Sequence, residues 1–238
     1  MKIEDLVYHD GDQTCIGHLA VPDGDGPFPG VVVVHEAWGL GAHAMERAEK
    51  LAALGYVALA ADIFGDRKIP ANPPEAFAII GDFRANPDRL RARAGAAVDA
   101  LKAHPACDGR IGAIGFCFGG STVLELARSG RADVLGVVSF HGALGSPGPS
   151  TSGGVTAKIL VCHGADDPLV PADELSGFLA EMREAKADCQ TIAYTGAMHS
   201  FTNREADGSL MPGIIYHAPT DARSWAAMKA FFADEVFG

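Results

Sequence analysis

Apolar positions along this chain alternate between two kinds of run. VVVVH (Val31–His35) and YVALAAD (Tyr56–Asp62) are short, continuous and rich in β-branched or small residues, as strands buried on both faces should be. Between them AHAMERAEKLAALG repeats its apolar positions at helical period and stops at Gly55. The same alternation predicts a strand over Arg110–Gly115, a helix over Phe118–Ser129, a strand over Val134–His141 and a strand over Lys158–His163. A helix over Ala172–Ala187, a strand over Gln190–Thr195 and a closing helix from about Thr220 to Val236 follow. At the start, Ile3–His9 and Thr14–Val21 flank DGDQ and read as an antiparallel pair. The polar stretch IFGDRKIPANPPE leads into helix-like segments through roughly Ala103, broken at Asn86-Pro87.

Strands alternating with helices predict a mostly parallel sheet of about seven to eight strands, with helices on both faces. The glycine-, serine- and proline-rich loop Gly142–Gly154 does not end the alternation, so one domain over residues 1–238 is the simpler organisation. Sites in such sheets form beyond the carboxyl ends of the strands, which gives every candidate residue a positional test. The long segment Gly196–His217 has the length of a functional loop.

Composition narrows the function. The chain has 238 residues, 48% of them hydrophobic, and a net charge of −11. That charge disfavours nucleic acid and anionic membranes as partners. No apolar run approaches the ~18 residues of a membrane span. MKIEDLVYHDGDQ lacks the basic-apolar-small order of a signal peptide, so the expected location is the cytoplasm. The five cysteines are scattered and none forms a CxxC pair; free thiols are expected and a zinc site is not.

One of those thiols stands out. Gly115-Phe116-Cys117-Phe118-Gly119 places Cys117 between a strand and a helix with glycine two residues away on both sides, the G-x-nucleophile-x-G pattern of a nucleophile elbow. The turn strains the nucleophile's backbone by about 1–3 kcal/mol and leaves no room for side chains at the flanking positions. It also sets the sulfur at a helix N-terminus, where a thiolate is favoured. A glycine-rich turn around a buried cysteine would read the same way in isolation. A phosphate loop would not, because the G-x-G-x-x-G spacing and a Lys-Ser/Thr pair are missing.

A thiol nucleophile needs a base, and the base needs an orienting acid. VCHGADDPLVP places Asp166 and Asp167 just past a strand end, and YTGAMHSF places His199 just past the next. The order nucleophile, acid, histidine is that of the elbow fold. Asp167 is the expected triad acid, and Asp166 suits a turn role before Pro168. The N–H of Phe118, following the nucleophile, and that of Ala37, in HEAWGLG after the third strand, are the candidate oxyanion donors.

Together GFCFGG, VVVVHEAWGL, HGADDPLVP and MHSF occur in the order of the dienelactone hydrolase family of α/β-hydrolases, which this chain resembles from about Ile3 to its last helix. The resemblance implies an α/β-hydrolase fold, a Cys117–His199–Asp167 triad, and hydrolysis of a small carboxylic ester or lactone, with no metal or organic cofactor. It also implies a role for Glu36, whose family equivalent interacts with the thiol in the resting enzyme and moves when substrate binds. The thiolate then forms only when needed, and a permanent thiolate would be open to oxidation. Family members acting on dienelactone hold its carboxylate with two arginines, for which Arg67 and Arg204 are the candidates here. Each stands one residue later than the family pattern, with Asp66 and Asn203 in the expected slots. Trp38 and Tyr216 are candidates to line the pocket. Thioesterase or peptidase chemistry on the same fold, and a noncatalytic small-molecule-binding homologue, are the alternatives; the expected assembly is a monomer or small homo-oligomer.

Overall fold

Val31, Val32, Val33 and Val34 are all fully buried, and they point alternately into two separate apolar cores. Both faces of their strand are therefore covered, as the unbroken valine run requires. Each buried valine removes enough apolar surface from water to favour folding by about 1.5–3 kcal/mol. The computed structural model describes residues 1–150 and 153–238; the loop expected over Gly142–Gly154 lies partly outside the described residues.

Eight strands form one sheet: β1 (Lys2–Asp10), β2 (Gln13–Val21), β3 (Phe28–Val34), β4 (Val57–Ala61), β5 (Cys107–Phe116), β6 (Val134–Phe140), β7 (Lys158–Gly164) and β8 (Cys189–Tyr194). Their spatial order is β1-β2-β4-β3-β5-β6-β7-β8. The first two strands are antiparallel to each other and β2 is antiparallel to β4; β3 to β8 run parallel. The helices are α1 (Ala42–Ala52), α2 (Pro73–Ala85), α3 (Pro87–Ala103), α4 (Phe118–Arg128), α5 (Ala172–Ala185) and α6 (Ala218–Phe231), the last running into a π-helical turn at Phe232–Val236. Buried residues of α1 and α6 join the core on one face, with Val31 and Val33; those of α2 to α5 join the other, with Val32 and Val34.

Two boundaries depart from the sequence pattern for identifiable reasons. Strand β5 starts at Cys107 rather than Arg110, because the Phe28 N–H donates to Ala106 O at 2.8 Å and Phe28 pairs with Cys107. Backbone pairing, not apolar alternation, extends it. Helix α5 stops at Ala185, two residues short of expectation, where Lys186 turns left-handed at φ 56°. The break at Asn86-Pro87 falls where expected, and α2 is started by Asn72, whose side chain accepts the Glu75 N–H at 3.0 Å. Among the described residues, no helix is long and apolar enough to cross a membrane.

Candidate active site

The corner between β5 and α4 is one residue wide. Cys117 sits there with φ 54° and ψ −114°, a conformation L-residues adopt only under constraint. The flanking glycines are required by contact: a Cβ on Gly115 would lie 2.0 Å from Gly119 O, and one on Gly119 would lie 2.2 Å from Val34 O. The Cys117 N–H donates to Phe140 O and to His141 Nδ1, both at 3.1 Å, which pins the elbow to the end of β6. Phe118, the first residue of α4, carries one of the helix's unpaired N-terminal N–H groups. Because the 2.2 Å contact at Gly119 is with backbone, G119A should lose about 3 kcal/mol of stability in urea unfolding. An unchanged unfolding midpoint would show that β3 yields to the extra methyl.

Two further strand ends supply the partners. Past β7, Asp167 is held by the Leu169 N–H, which donates to Oδ1 at 2.8 Å, and its Oδ2 accepts from His199 Nδ1 at 2.8 Å. A carboxylate acceptor fixes the proton on Nδ1 and leaves Nε2 toward the cavity. Asp166 instead accepts the Gly196 N–H at 3.0 Å and braces the loop after β8. Burial opposes protonation of His199, but the Cys117 sulfur and the Asp167 carboxylate outweigh it and push the imidazole up to about 10. Cys117 and His199 line one cavity of about 240 Å³.

Glu36, Ala37 and Trp38 line the same cavity, brought there by the end of β3. The resemblance implies a contact between Glu36 and the thiol; here two other side chains hold the carboxylate oxygens. Ser200 Oγ donates to its Oε1 at 3.1 Å and Asn203 Nδ2 donates to its Oε2 at 2.5 Å. Burial raises the Glu36 carboxyl above its ordinary range, opposed by those two donors. Asn203, in the slot of a family arginine, thus anchors Glu36 in this protein.

The expected substrate arginines do not meet at the cavity, and this corrects the sequence expectation. Asp66 and Arg67 both take left-handed backbone (φ 50° and 52°) around Asp62, whose Oδ2 accepts the Arg67 N–H at 2.7 Å. The turn sends the Arg67 guanidinium to Asp5 on β1, at 2.7 and 3.1 Å. Arg204 lines a separate cavity behind Glu36, with Asn203 and Lys50. Tyr216 is likewise outside the Cys117–His199 cavity, its hydroxyl 3.3 Å from Asp221 Oδ2. The arginine at the Cys117–His199 cavity is Arg84, which shares one face of α2 with Phe77 and Ile80. Their i, i+3, i+7 spacing was the available signal. Met211 and Ile214, apolar residues inside the long loop after β8, close another side. Among the described residues, no group of three or more His, Cys, Asp or Glu side chains is arranged to hold a metal ion.

A mostly parallel eight-stranded sheet with a strand–Cys–helix elbow, and an Asp and a His past the next strand ends, defines an α/β-hydrolase. Residues 16–236 match the model of the dienelactone hydrolase family, and the chain belongs to that family, a hydrolase of carboxylic esters or lactones. It is similar to a crystal structure titled as a dienelactone hydrolase-like promiscuous phosphotriesterase from metagenomic libraries, with 43% identity, a TM-score of 0.92, and coverage of 100% of this chain and 99% of that one. A structure titled m3DLH is 42% identical with a TM-score of 0.93, again covering 100% of this chain and 99% of that chain. A Bradyrhizobium sp. protein named as a probable 2-oxo-3-(5-oxofuran-2-ylidene)propanoate lactonase is 29% identical over 196 residues, 78% of each chain.

Proposed function

We propose that this protein hydrolyses a small ester or lactone through Cys117, with His199 as proton carrier and Asp167 as its orienting partner. The observation that carries the reading is His199: pinned by Asp167 at 2.8 Å, it shares one cavity with a sulfur held on a strained corner. The Cys117 sulfur and the Asp167 carboxylate push that imidazole up to about 10 against its burial, which sets a basic proton carrier beside the sulfur.

The thiolate attacks the substrate carbonyl, and the N–H groups of Phe118 and Ala37 receive the oxyanion. Collapse of the tetrahedral intermediate breaks the C–O bond. The leaving alkoxide takes the proton from His199, leaving a neutral imidazole and an acyl thioester. His199 then removes a proton from water, the resulting hydroxide attacks the thioester, and the thiolate leaves beside a restored imidazolium. In a lactone the alkoxide stays tethered to the acyl group. The cavity of about 240 Å³, mostly apolar in its lining, suits a small acyl compound better than a folded peptide chain.

Selective alkylation tests the reading. Burial raises the other thiols: Cys15 and Cys189 to about 11, Cys162 to about 12, and Cys107 above its ordinary value. At pH 7 iodoacetamide should therefore label Cys117 first, as read by peptide mass spectrometry, with activity lost in step. Equal labelling of all five cysteines would sink the assignment. The His199 shift also sets a pH dependence. Its folded pKa lies above the ordinary 6.5, so the contribution of the protonated ring is full below about 6.5 and is lost as pH rises through about 10. The alkaline fall of kcat/KM should sit near that value; a fall centred near 7 would contradict the raised imidazole. Substrate class is read from a panel of p-nitrophenyl esters, lactones, acyl thioesters and peptides, with a phosphotriester included because of the structural relative so titled.

A further inference from the structure

We propose that His141 is a positioning residue, a neutral imidazole that ties the backbone of the Cys117 elbow to the segment carrying His199. The proposal rests on the assignment of Cys117 and His199 as nucleophile and proton carrier.

His141 is the first residue beyond β6, fully buried, and left-handed at φ 41°. A non-glycine residue held there costs about 1 kcal/mol or more and persists only where its surroundings over-determine it. Three contacts do so. Its own N–H donates to Cys162 O at 2.9 Å; its Nδ1 accepts the Cys117 N–H at 3.1 Å; its Nε2 lies 2.8 Å from Thr202 Oγ1. Thr202 stands three residues past His199 and is itself fixed from behind. Arg47 donates to its carbonyl at 2.8 Å and to Asp221 at 2.7 Å. One side chain thus spans the two segments whose separation sets the distance from sulfur to imidazole.

The protonation state follows from the donors. A backbone N–H only donates, so Nδ1 of His141 must present its lone pair, and the ring proton sits on Nε2, aimed at Thr202 Oγ1. The Thr202 hydroxyl proton is then free to point at His43 Nε2, 3.4 Å away. His43 Nδ1 has no hydrogen-bond partner and lies 3.7 Å from Glu36 Oε2. The donors run in one direction, from the backbone of Cys117 through His141 and Thr202 to His43. A protonated His141 would set two N–H groups against each other, with its ring 5.3 Å from that of His199. Burial first, then His199, His43 and Arg47, hold it well below the usual histidine range. The elbow does not need His141 simply to satisfy its N–H, since Phe140 O already accepts that bond. What the second acceptor adds is the link to Thr202.

Two variants test the tie. H141F keeps a ring and deletes both nitrogens; T202V keeps the side-chain shape and deletes the hydroxyl. Each should lower kcat by about tenfold or more with KM within about twofold, because misplacement of reacting groups affects the step and not the binding. Each should also slow alkylation of Cys117 by iodoacetamide at pH 7, as the sulfur loses the imidazole held close to it. The double variant should be no worse than the poorer single one, since both cut the same link. Wild-type kcat and alkylation rate in T202V would overturn the proposal, even if H141F fails to fold. So would losses that multiply in the double variant. The alkylation readout needs no substrate: if Cys117 is not preferentially labelled in the unaltered protein, the catalytic reading fails instead of the tie.

Discussion

Alanine at position 117 is expected to lower kcat for ester hydrolysis by at least about 10⁴-fold while the protein stays folded. Removing the sulfur leaves the cavity, the oxyanion donors and His199 in place, so a small residual rate through direct attack by water is expected. The fold is expected to survive because Cys117 is only partly buried and its backbone is fixed through N–H bonds that alanine retains. A second consequence is spectroscopic. The sulfur is the strongest influence raising His199, and burial opposes it. With the sulfur gone, the imidazole should titrate well below about 10 in an NMR experiment. Hydrolysis at the wild-type rate in C117A would remove the nucleophile from the mechanism. An unshifted His199 titration would show that sulfur and ring are not neighbours in solution.

Asparagine at position 167 should lower kcat by about 10³- to 10⁴-fold with little change in KM. The carboxylate accepts from His199 Nδ1 at 2.8 Å, which keeps the ring proton on that nitrogen and leaves Nε2 to exchange protons at the cavity. An amide nitrogen facing Nδ1 would donate and drive the ring proton to Nε2, the wrong tautomer for a base. The Leu169 N–H is still satisfied by the amide oxygen, so the turn after β7 survives. The loss therefore falls on chemistry and not on folding. A kcat within a factor of about three of wild type, in a variant of unchanged Tm, would show that His199 is oriented by something other than Asp167.

Much of this was legible in consecutive residues because its causes are local. Four buried valines in a row cannot serve a half-exposed strand, and β3 is covered on both faces. The two glycines around Cys117 mark a corner where a methyl would lie only 2.0–2.2 Å from backbone oxygens, far inside van der Waals contact. What misled was residue type without direction. Arg67 follows the right strand, but two left-handed residues around Asp62 aim it at β1. Asn203 stands in an arginine's slot and instead holds the Glu36 carboxylate. His141 carried no motif; its part is visible only once β6, the elbow and the Thr202 segment are placed side by side.

By itself, then, the sequence determined the alternation of strands and helices, the sharp corner, and the chain order of thiol, carboxylate and imidazole. Burial periodicity and steric exclusion act between near neighbours, and they leave their mark in the spelling of a short segment. Only the tertiary structure decided which remote side chains share the cavity, which arginine faces it, and what holds the backbone of Cys117 from behind. Those choices depend on backbone dihedrals at single turn residues and on packing between segments far apart in the chain, and neither is written in any local pattern.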